Sequence, residues 1–423
     1  MTQTAPHQLR NLHALLDVSK ALGKEFHLDK LLELILEKAT EVMDADRSTL
    51  FLYNKEKNEL WSKIAQGLKT TTIRFPLGVG IAGSVAETLV PANIPDAYED
   101  PRFNQAFDKE SNYRTRTMLC LPMIGTNSEL VGVIQVLNKK SNQCFDKEDE
   151  ELLAALGGHA AIALQRAQLI ESYVENQKLE ETLKLAHDIQ MNLLPKRFPP
   201  FPDITHLVDI YAFLEPAKDV GGDLYDFMLL DKTHLCFAVG DVSGKGVPAS
   251  LFMAVAKTFL KATARIDLHP SEILIKMNDF LSKNNEADMF CTFLCGILEL
   301  ETGNIQYSNA GHNPAYILRN GGDLDILSKP RGTALGVIED LEFEPAKTQL
   351  QKGDTLFLYT DGINEAMNED FEEYSYPRME EMLKSASGKP AQKVVETALS
   401  DVKEFVGKAP QSDDITILAI RRP

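Results

Sequence analysis

One stretch of the chain, between Gly158 and Pro195, contains neither glycine nor proline, and it constrains the fold more than any other feature. Its apolar residues recur at helical spacing, which predicts a single helix that starts after Phe145 and continues to Leu194. A group of prolines then stops the helix, at Pro195, Pro199, Pro200 and Pro202. The 423 residues are enough for two to three domains at about 150 residues each. We therefore predict an N-terminal domain over residues 9–168, a helical linker over 169–194 and a C-terminal domain over 195–423.

The predicted linker carries a weak heptad pattern. Its a positions are Leu169, Asn176, Leu183 and Gln190, and its d positions are Ser172, Leu179, Ala186 and Leu193. Two interpretations stay open. The helix either forms a parallel coiled coil in a homodimer, with Asn176 fixing the register, or is a solvent-exposed connection with one apolar stripe. We favour the homodimer.

Charge and composition exclude several classes of protein. The 62 acidic and 44 basic residues give a net charge of −18, which repels phosphate backbones and anionic lipid, so neither nucleic acid nor a membrane is an expected partner. The five cysteines form no Cys-x-x-Cys pair, which favours a reducing cytoplasm over a disulfide framework. No apolar run reaches the roughly 18 residues that a membrane-spanning helix needs.

The two domains differ in their pattern of elements. In the N-terminal domain, two amphipathic helices between Leu9 and Met43 precede short strands, with turns at Gly67 and at residues 127–129, so we predict an α+β domain with an antiparallel sheet. Its strands are expected at residues 48–53, 60–65, 71–76, 117–124 and 130–137. In the C-terminal domain, eight strands, the first over residues 204–211, and the two helices 248–266 and 270–284 predict a β-sandwich flanked by helices.

Aspartates stand at the ends of several predicted strands in the C-terminal domain. They are Asp223 and Asp226 at the entrance to one strand, Asp241 and Asp361 after two others, and Asp413 with Asp414 before the last. A single aspartate at such a place is usually a turn residue. Several together would repel one another unless a cation were present, and hard divalent cations prefer oxygen ligands on rigid anchors. The set therefore predicts a metal site.

Five motifs occur in order around these aspartates: VGGDLYD, VGDVSGKGVPASLFMA, YSNAGHNPAYI, LFLYTDGINEA and SDDITIL. From about Ala186 onward the chain resembles the SpoIIE-like branch of the metal-dependent Ser/Thr protein phosphatases (PPM family). The resemblance implies an α/β/β/α sandwich that binds two Mn²⁺ or Mg²⁺ ions, with Asp241, Asp361 and Asp413 as the catalytic carboxylates. It also implies that the Val242 carbonyl is a ligand, that Asp223 lies in the outer shell or at a third ion, and that Asp414 is the least certain ligand.

The expected reaction is hydrolysis of phosphoserine or phosphothreonine in a protein partner, such as an anti-sigma-factor antagonist, by a water molecule that two metal ions activate. His312 is either a general acid or a buried turn histidine. Animal-type relatives hold the substrate phosphate with an arginine before the first acidic motif, whereas EPAKDVGGD offers only Lys218. Phosphate recognition is therefore unassigned by the resemblance.

The N-terminal domain resembles a GAF domain, through STLFLY, FPLGVGIAGSVAET, NIPDAYEDPRFN, RTMLCLPMI and VGVIQVLNKK. Asn138, Lys139, Phe145 and Asp149 match the N-K-x(n)-F-x3-D-E signature of GAF domains that bind cyclic nucleotides, and the resemblance implies an ion pair between Lys139 and Asp149. A polar turn followed by acids at a helix N-terminus would produce the same residues. The domain therefore binds a cyclic nucleotide, binds another small ligand, or only dimerises.

Two rival functions remain in view. A catalytically silent phosphatase fold could serve as a scaffold that binds a partner, although retention of Asp241, Asp361 and Asp413 argues against it. Gly78, Gly80 and Gly83 fit the spacing of a dinucleotide-binding loop, but the antiparallel strands around them disfavour an oxidoreductase. The GDVSGKG segment around Lys245 lacks the residues of a phosphate-binding loop and is interpreted as a flexible turn.

Overall fold

The structure is a computed structural model that describes residues 4–62, 73–283, 285, 288–327 and 333–423. It divides into two compact units, Met1–Lys178 and Leu179–Pro423, and the division falls inside one helix, within the predicted linker. The expected turn at Gly67 and parts of the neighbouring strands lie outside the described residues. Of the helices that are described, none is long and apolar enough to cross a bilayer.

Unit 1 is an α+β domain, as predicted. Its helices are α1 (Thr4–Lys24), α2 (Leu28–Val42), α3 (Gly80–Thr88), α4 (Ala106–Ser111) and the first part of α5 (Lys147–Leu193). Its strands are β1 (Ala45–Asn54), β2 (Glu59–Ser62), β3 (Ile73–Pro76), β4 (Ala92–Ile94), β5 (Met118–Ile124) and β6 (Leu130–Lys139). The sheet has the order β3-β2-β1-β6-β5-β4, and every neighbouring pair is antiparallel.

Successive residues of β1 face opposite sides of this sheet, as the two-residue period of a strand requires. Leu50 and Leu52 join the core with α1, α2 and α5, whereas Phe51 packs on the other side with α3. The sheet therefore has helices on both faces, and the second face also borders a cavity that is described below.

Unit 2 starts with the end of α5 and contains ten strands and four further helices among its described residues. The strands are β7 (Asp209–Glu215), β8 (Leu224–Leu229), β9 (His234–Val242), β10 (Cys291–Glu299), β11 (Asn304–Ala310), β12 (Tyr316–Leu318), β13 (Leu324–Ile326), β14 (Ala346–Gln349), β15 (Thr355–Tyr359) and β16 (Ile415–Arg421). The helices are α6 (Val247–Thr263), α7 (Pro270–Lys283), α8 (Tyr376–Ser385) and α9 (Ala391–Val406), and a 3-10 turn covers Pro202–Ile204.

These elements form four layers. One sheet has the order β14-β11-β10-β9-β8 and is covered by α6 and α7, while the other has the order β13-β12-β15-β16-β7 and is covered by α8 and α9. Alternation along β16 shows how the layers are filled: Leu418 and Ile420 face the other sheet, whereas Ile417 and Ala419 face α8 and α9. The predicted α/β/β/α sandwich is confirmed.

Sequence reasoning missed several elements of unit 2. The predicted strand at residues 204–211 is wrong at its start, because a 3-10 turn occupies Pro202–Ile204 and the strand begins at Asp209. The helices α8 and α9 were not predicted. The signal for α9 was present, because Val394, Val395, Ala398 and Val402 recur at helical spacing and are all buried.

Candidate functional site

Antiparallel pairing brings five of the predicted acids together in two groups. In the first sheet, Leu224 of β8 pairs with Gly240 of β9, so Asp223 at the start of β8 lies beside Asp241 near the end of β9. In the second sheet, β15 and β16 are also antiparallel, with Tyr359 beside Ile417, so Asp361 after β15 lies near the two aspartates before β16. Both groups lie at the same edge of the sandwich, because Asp223 of the first group accepts hydrogen bonds from Thr360 and Thr416 beside the second group.

Asp223 joins the two sheets at this edge. Its carboxylate is buried, and Oδ2 accepts hydrogen bonds from the hydroxyls of Thr360 and Thr416, both at 2.6 Å. The Thr360 hydroxyl also accepts the backbone N–H of Thr416 at 3.0 Å. Neither threonine was predicted as a site residue, although both stand inside the quoted motifs LFLYTDGINEA and SDDITIL.

Asp414 differs from its neighbour Asp413. It is 7% exposed, and its carboxylate accepts backbone N–H groups from Ala217 at 2.8 Å and from Gly222 at 2.7 Å. These bonds fix the loop that leads into Asp223. The Asp413 side chain, by contrast, is 40% exposed. The two adjacent acids therefore have different environments: Asp414 is buried and bonded to the loop before Asp223, whereas Asp413 is partly exposed.

Glycine is required where this loop passes the acids. A Cβ on Gly221 would lie 2.0 Å from Asp414 Oδ2, and a Cβ on Gly362 would lie 2.0 Å from the Asp414 carbonyl oxygen. Both distances are far inside van der Waals contact. The glycines after β15 and before Asp223 therefore allow the two sheets' loops to approach each other closely.

Burial and mutual repulsion raise the pKa of the acids at this edge. Burial, followed by the charges of Asp361, Asp413 and Asp414, raises the pKa of Asp241 to about 7, and a hydrogen bond with Asp223 opposes this shift. Burial and the charges of Asp241 and Asp414 raise the pKa of Asp223 well above its usual range. Burial and Asp413 also raise the pKa of Asp361. A bound cation would relieve this repulsion.

The chemistry of the donor set fits Mg²⁺ or Mn²⁺, because the side chains that converge here are carboxylates and hard cations prefer oxygen. The Val242 carbonyl also lies at this edge, 2.6 Å from where a Cβ of Gly222 would stand. The arrangement is not a complete metal-coordination site. Within the described parts of the chain, no three acid, histidine or cysteine side chains come close enough together to hold one ion.

Lys245 is a cation at this acidic edge. Its ammonium donates hydrogen bonds to Asp413 Oδ2 at 2.8 Å and to the Ser412 carbonyl at 2.7 Å. Partial burial lowers the pKa of Lys245, but the hydrogen bond to Asp413 and the nearby aspartate charges outweigh it and raise the pKa above its ordinary value. The segment interpreted as a flexible turn therefore contributes a charged group to the site.

Asp226 does not belong to this edge. It lies within β8, is fully buried, and forms an ion pair with Lys257 of α6, which is also buried. Desolvation lowers the pKa of Lys257 to about 8, and the charge of Asp226 opposes this effect. The expectation that Asp226 shares the placement of the other acids is wrong, because a side chain inside the strand faces the covering helix rather than the sheet edge.

His312 has the environment of a structural histidine. It is 3% exposed, Nδ1 is 2.8 Å from the Thr292 hydroxyl, and Nε2 is 3.0 Å from the Tyr359 carbonyl. Burial lowers its pKa to about 4. Both ring nitrogens are thus engaged within the protein, which favours the buried turn histidine over the general acid.

The end of α5 is bonded to the loop that carries Asp223. Gln190 is 4% exposed; its amide donates to the Gly221 carbonyl at 2.7 Å, and its carbonyl accepts the Gly221 N–H at 3.1 Å. One turn earlier, the His187 ring donates to the Asp219 carbonyl at 2.7 Å. Gln190, placed at an a position of the heptad, therefore contacts its own domain. Leu179 and Leu193 of the same helix are exposed.

Unit 1 contains a cavity of about 370 Å³ against the α3 face of its sheet. That volume lies within the range of small-molecule sites. Aromatic and cationic side chains line it, among them Phe51, Phe75, Phe103, Tyr113 and Arg47. The Arg47 guanidinium lies over the Tyr113 ring, 3.9 Å from its centroid. The lining can therefore contact both a flat ring and an anionic group.

The four predicted GAF residues lie outside this lining and form a joint between β6 and α5. Lys139 Nζ lies 2.5 Å from Asp149 Oδ2, and Phe145 is buried. Asn138 has a positive φ of 51° and accepts the N–H of Arg116 at 2.6 Å. Its amide donates to the Tyr113 hydroxyl at 2.8 Å, which connects the joint to a residue of the cavity wall.

Comparisons with known proteins agree with both resemblances. The family model for stage II sporulation protein E (SpoIIE) matches residues 231–423, and the model for the GAF domain matches residues 27–164. Phosphoserine phosphatase RsbU of Bacillus subtilis (strain 168) is 28% identical over 250 residues, which cover 58% of this chain and 71% of that protein.

Two further relatives each match one part of the architecture. Dual 3',5'-cyclic-AMP and -GMP phosphodiesterase 11 of Drosophila melanogaster is 34% identical over 199 residues, which cover 43% of this chain but only 14% of that protein. The solved SiaA-PP2C domain of Pseudomonas aeruginosa aligns with a TM-score of 0.51 at 22% identity, over 59% of this chain and 99% of that domain, which shows a shared fold.

The fold, the acidic edge and these matches define a protein serine/threonine phosphatase domain of the PPM type. Residues 231–423 match the SpoIIE family model, and a GAF domain precedes this phosphatase domain.

Proposed function

We propose that the chain is a sensor-regulated, metal-dependent phosphatase that hydrolyses phosphoserine or phosphothreonine in a partner protein of a bacterial signalling pathway. The observation that carries the proposal is the convergence of Asp223, Asp241, Asp361 and Asp413 from two sheets on one edge, with the raised pKa of Asp241. A protein antagonist of an anti-sigma factor is our candidate substrate, by analogy with the family.

Each acid has a distinct proposed role. Asp241, Asp361 and Asp413 would hold two Mn²⁺ or Mg²⁺ ions together with the Val242 carbonyl. When bound, such ions lower the pKa of a shared water molecule and offset the charge on the phosphate. Asp223 would hold a third ion or orient the pair, because Thr360 and Thr416 already fix one of its oxygens. Asp414 would position the loop through its backbone hydrogen bonds rather than bind metal.

Hydrolysis of p-nitrophenyl phosphate and of a phosphoserine peptide tests this proposal. We expect turnover with Mn²⁺, none with chelator, and a loss of at least about 100-fold in Asp361→Asn. The matched control is Asp370→Asn, which should keep full activity. Asp370 is an exposed aspartate in the turn between Met367 and Glu373, before α8. Folded, metal-binding protein without turnover on either substrate would instead favour the silent scaffold.

We also propose that the GAF domain controls the phosphatase through α5. The first residues of α5 form the Lys139–Asp149 joint, and its last turn holds the loop of Asp223 through Gln190. A ligand that changes the joint would act only through different affinities for two states of that helix. The exposed apolar residues Leu169, Leu179 and Leu193 support a homodimer, which analytical ultracentrifugation would test.

The cavity of unit 1 is the proposed site for a cyclic nucleotide. Its aromatic residues suit a purine ring and Arg47 suits a phosphate, while the match to a cyclic-nucleotide phosphodiesterase supports the ligand class. Titration calorimetry with cyclic AMP and cyclic GMP should give binding that Arg47→Ala weakens and that Lys55→Ala, an exposed lysine outside the lining, leaves unchanged. Absence of heat at high micromolar ligand would refute this assignment.

A further inference from the structure

We infer that Lys245 binds the phosphate of the substrate, the role that an arginine has in animal-type relatives. This inference rests on the proposed phosphatase function and adds the residue that recognises the phosphate. The sequence offered Lys218 for this role, but the structure places the ammonium of Lys245 beside Asp413 on the acidic edge.

Position is the first argument. Lys245 Nζ is 2.8 Å from Asp413 Oδ2, and Asp413 is one of the proposed metal ligands. Lys245 also lies four residues after Asp241 in the loop that follows β9. A phosphate held at Asp241 and Asp413 through bound metal would therefore lie within reach of this flexible side chain.

Freedom to move is the second argument. The Lys245 side chain is 37% exposed, and Gly244 and Gly246 on either side have positive φ values of 83° and 81°, with open space where each Cβ would stand. If Asp413 binds a divalent cation, two cations compete for one carboxylate and repel each other. The ammonium would then be free to turn from Asp413 to the phosphate of a bound substrate.

Several other cations in the described part of unit 2 have partners of their own. Arg265 pairs with Asp267, Arg319 with Asp325 and Asp354, and Arg378 with Asp401, while Arg422 donates to backbone carbonyls. Lys257 is buried against Asp226. Lys245, by contrast, pairs with Asp413, one of the proposed metal ligands.

Steady-state kinetics of the full chain with the phosphoserine peptide and Mn²⁺ test the inference. For Lys245→Ala we expect KM and the inhibition constant of inorganic phosphate each to rise about tenfold or more, the loss of one charge-assisted hydrogen bond. Lys245→Arg should restore most of both. Calorimetric titration of the variants with Mn²⁺ should show affinity equal to or tighter than that of the wild type, since a competing cation has been removed.

Two controls make the result decisive. Lys393→Ala removes an exposed lysine of α9 that pairs with Glu396 and should change nothing. Lys218→Ala tests the alternative from the sequence, and a rise in KM there but not in Lys245→Ala would overturn the assignment. Weaker Mn²⁺ binding in Lys245→Ala would also overturn the assignment, since the lysine would then stabilise the metal-binding carboxylates instead of binding phosphate. A wild type without metal-dependent turnover would refute the proposed function, and the role of Lys245 with it.

Discussion

Replacing Gln190 with alanine should destabilise unit 2 by removing its contact with the loop of Asp223. The side chain is 4% exposed and makes two hydrogen bonds to Gly221, of 2.7 and 3.1 Å. Each buried backbone group left without a partner costs about 1–3 kcal/mol, so the two together cost about 2–6 kcal/mol. Water that enters at the end of the helix reduces this, and we expect a loss near the lower limit, about 2 kcal/mol.

Urea denaturation with two probes can assign this loss to one unit. Trp61 is the single tryptophan of the chain and lies in β2, so its fluorescence reports unit 1, whereas far-UV circular dichroism reports both units. With a slope of about 1–3 kcal/mol per molar urea, a loss of about 2 kcal/mol lowers the midpoint by about 1 M. We expect that shift in the transition seen by circular dichroism and not by Trp61.

The matched control is Asn192→Ala, two residues further along α5. Asn192 is exposed and accepts a hydrogen bond from Lys196 at 3.0 Å, so its loss should change the free energy of unfolding by less than about 0.5 kcal/mol. If Gln190→Ala unfolds at the same urea concentration as Asn192→Ala, the two hydrogen bonds do not stabilise the loop, and the proposed route of regulation through α5 is wrong.

Three further predictions concern the acidic edge and the GAF joint. Since metal binding needs ionised carboxylates, and burial raises the pKa of Asp241 to about 7, Mn²⁺ affinity should fall as the pH drops below about 7, with proton release visible by calorimetry in buffers of different ionisation enthalpy. The same raised pKa means that, without metal, protonated Asp241 stabilises the folded state at low pH, and this contribution is lost as the pH rises from about 4 through about 7. A Mn²⁺ affinity that does not change with pH would contradict the raised pKa on which both predictions rest. Gly221→Ala, whose Cβ would lie 2.0 Å from Asp414 Oδ2, should lower the melting temperature and abolish turnover, whereas Gly158→Ala in α5 meets nothing within 4 Å and should stabilise by about 0.5–1 kcal/mol. Lys139→Met breaks the 2.5 Å pair with Asp149 and should shift the Trp61 transition to lower urea, and an unchanged transition would show that the pair does not stabilise unit 1.

Most strands of the two sheets and the position of the acids beside them follow from the sequence because both depend on local patterns, whereas the layer of α8 and α9 is not predicted. The short apolar runs Thr355–Tyr359 and Ile415–Arg421 predict buried strands, and an acid beside a strand end is visible without coordinates. What each acid contacts is not visible. The sequence alone cannot show that Asp414 bonds to the backbone of residue 217, nearly 200 positions earlier, while Asp413 stays open to solvent.

Side-chain direction explains the remaining differences. Asp226 stands three residues from Asp223, yet it faces α6, since its partner Lys257 comes from a helix whose packing only the tertiary structure fixes. Lys245 belongs to an incomplete phosphate-loop motif, and its charge is meaningful only once Asp413 is seen beside it. Gln190 fits an a position of the heptad pattern, but its side chain is buried against Gly221.

The unequal burial of Asp413 and Asp414 affects how variant libraries of this protein should be interpreted. A screen that scores only activity would place substitutions at both positions in one inactive class. Soluble yield would separate them, because loss of Asp414 leaves the N–H groups of Ala217 and Gly222 without their acceptor, whereas loss of Asp413 removes a partly exposed side chain. Of these two neighbouring residues in the same motif, Asp414 would thus report on folding and Asp413 on catalysis.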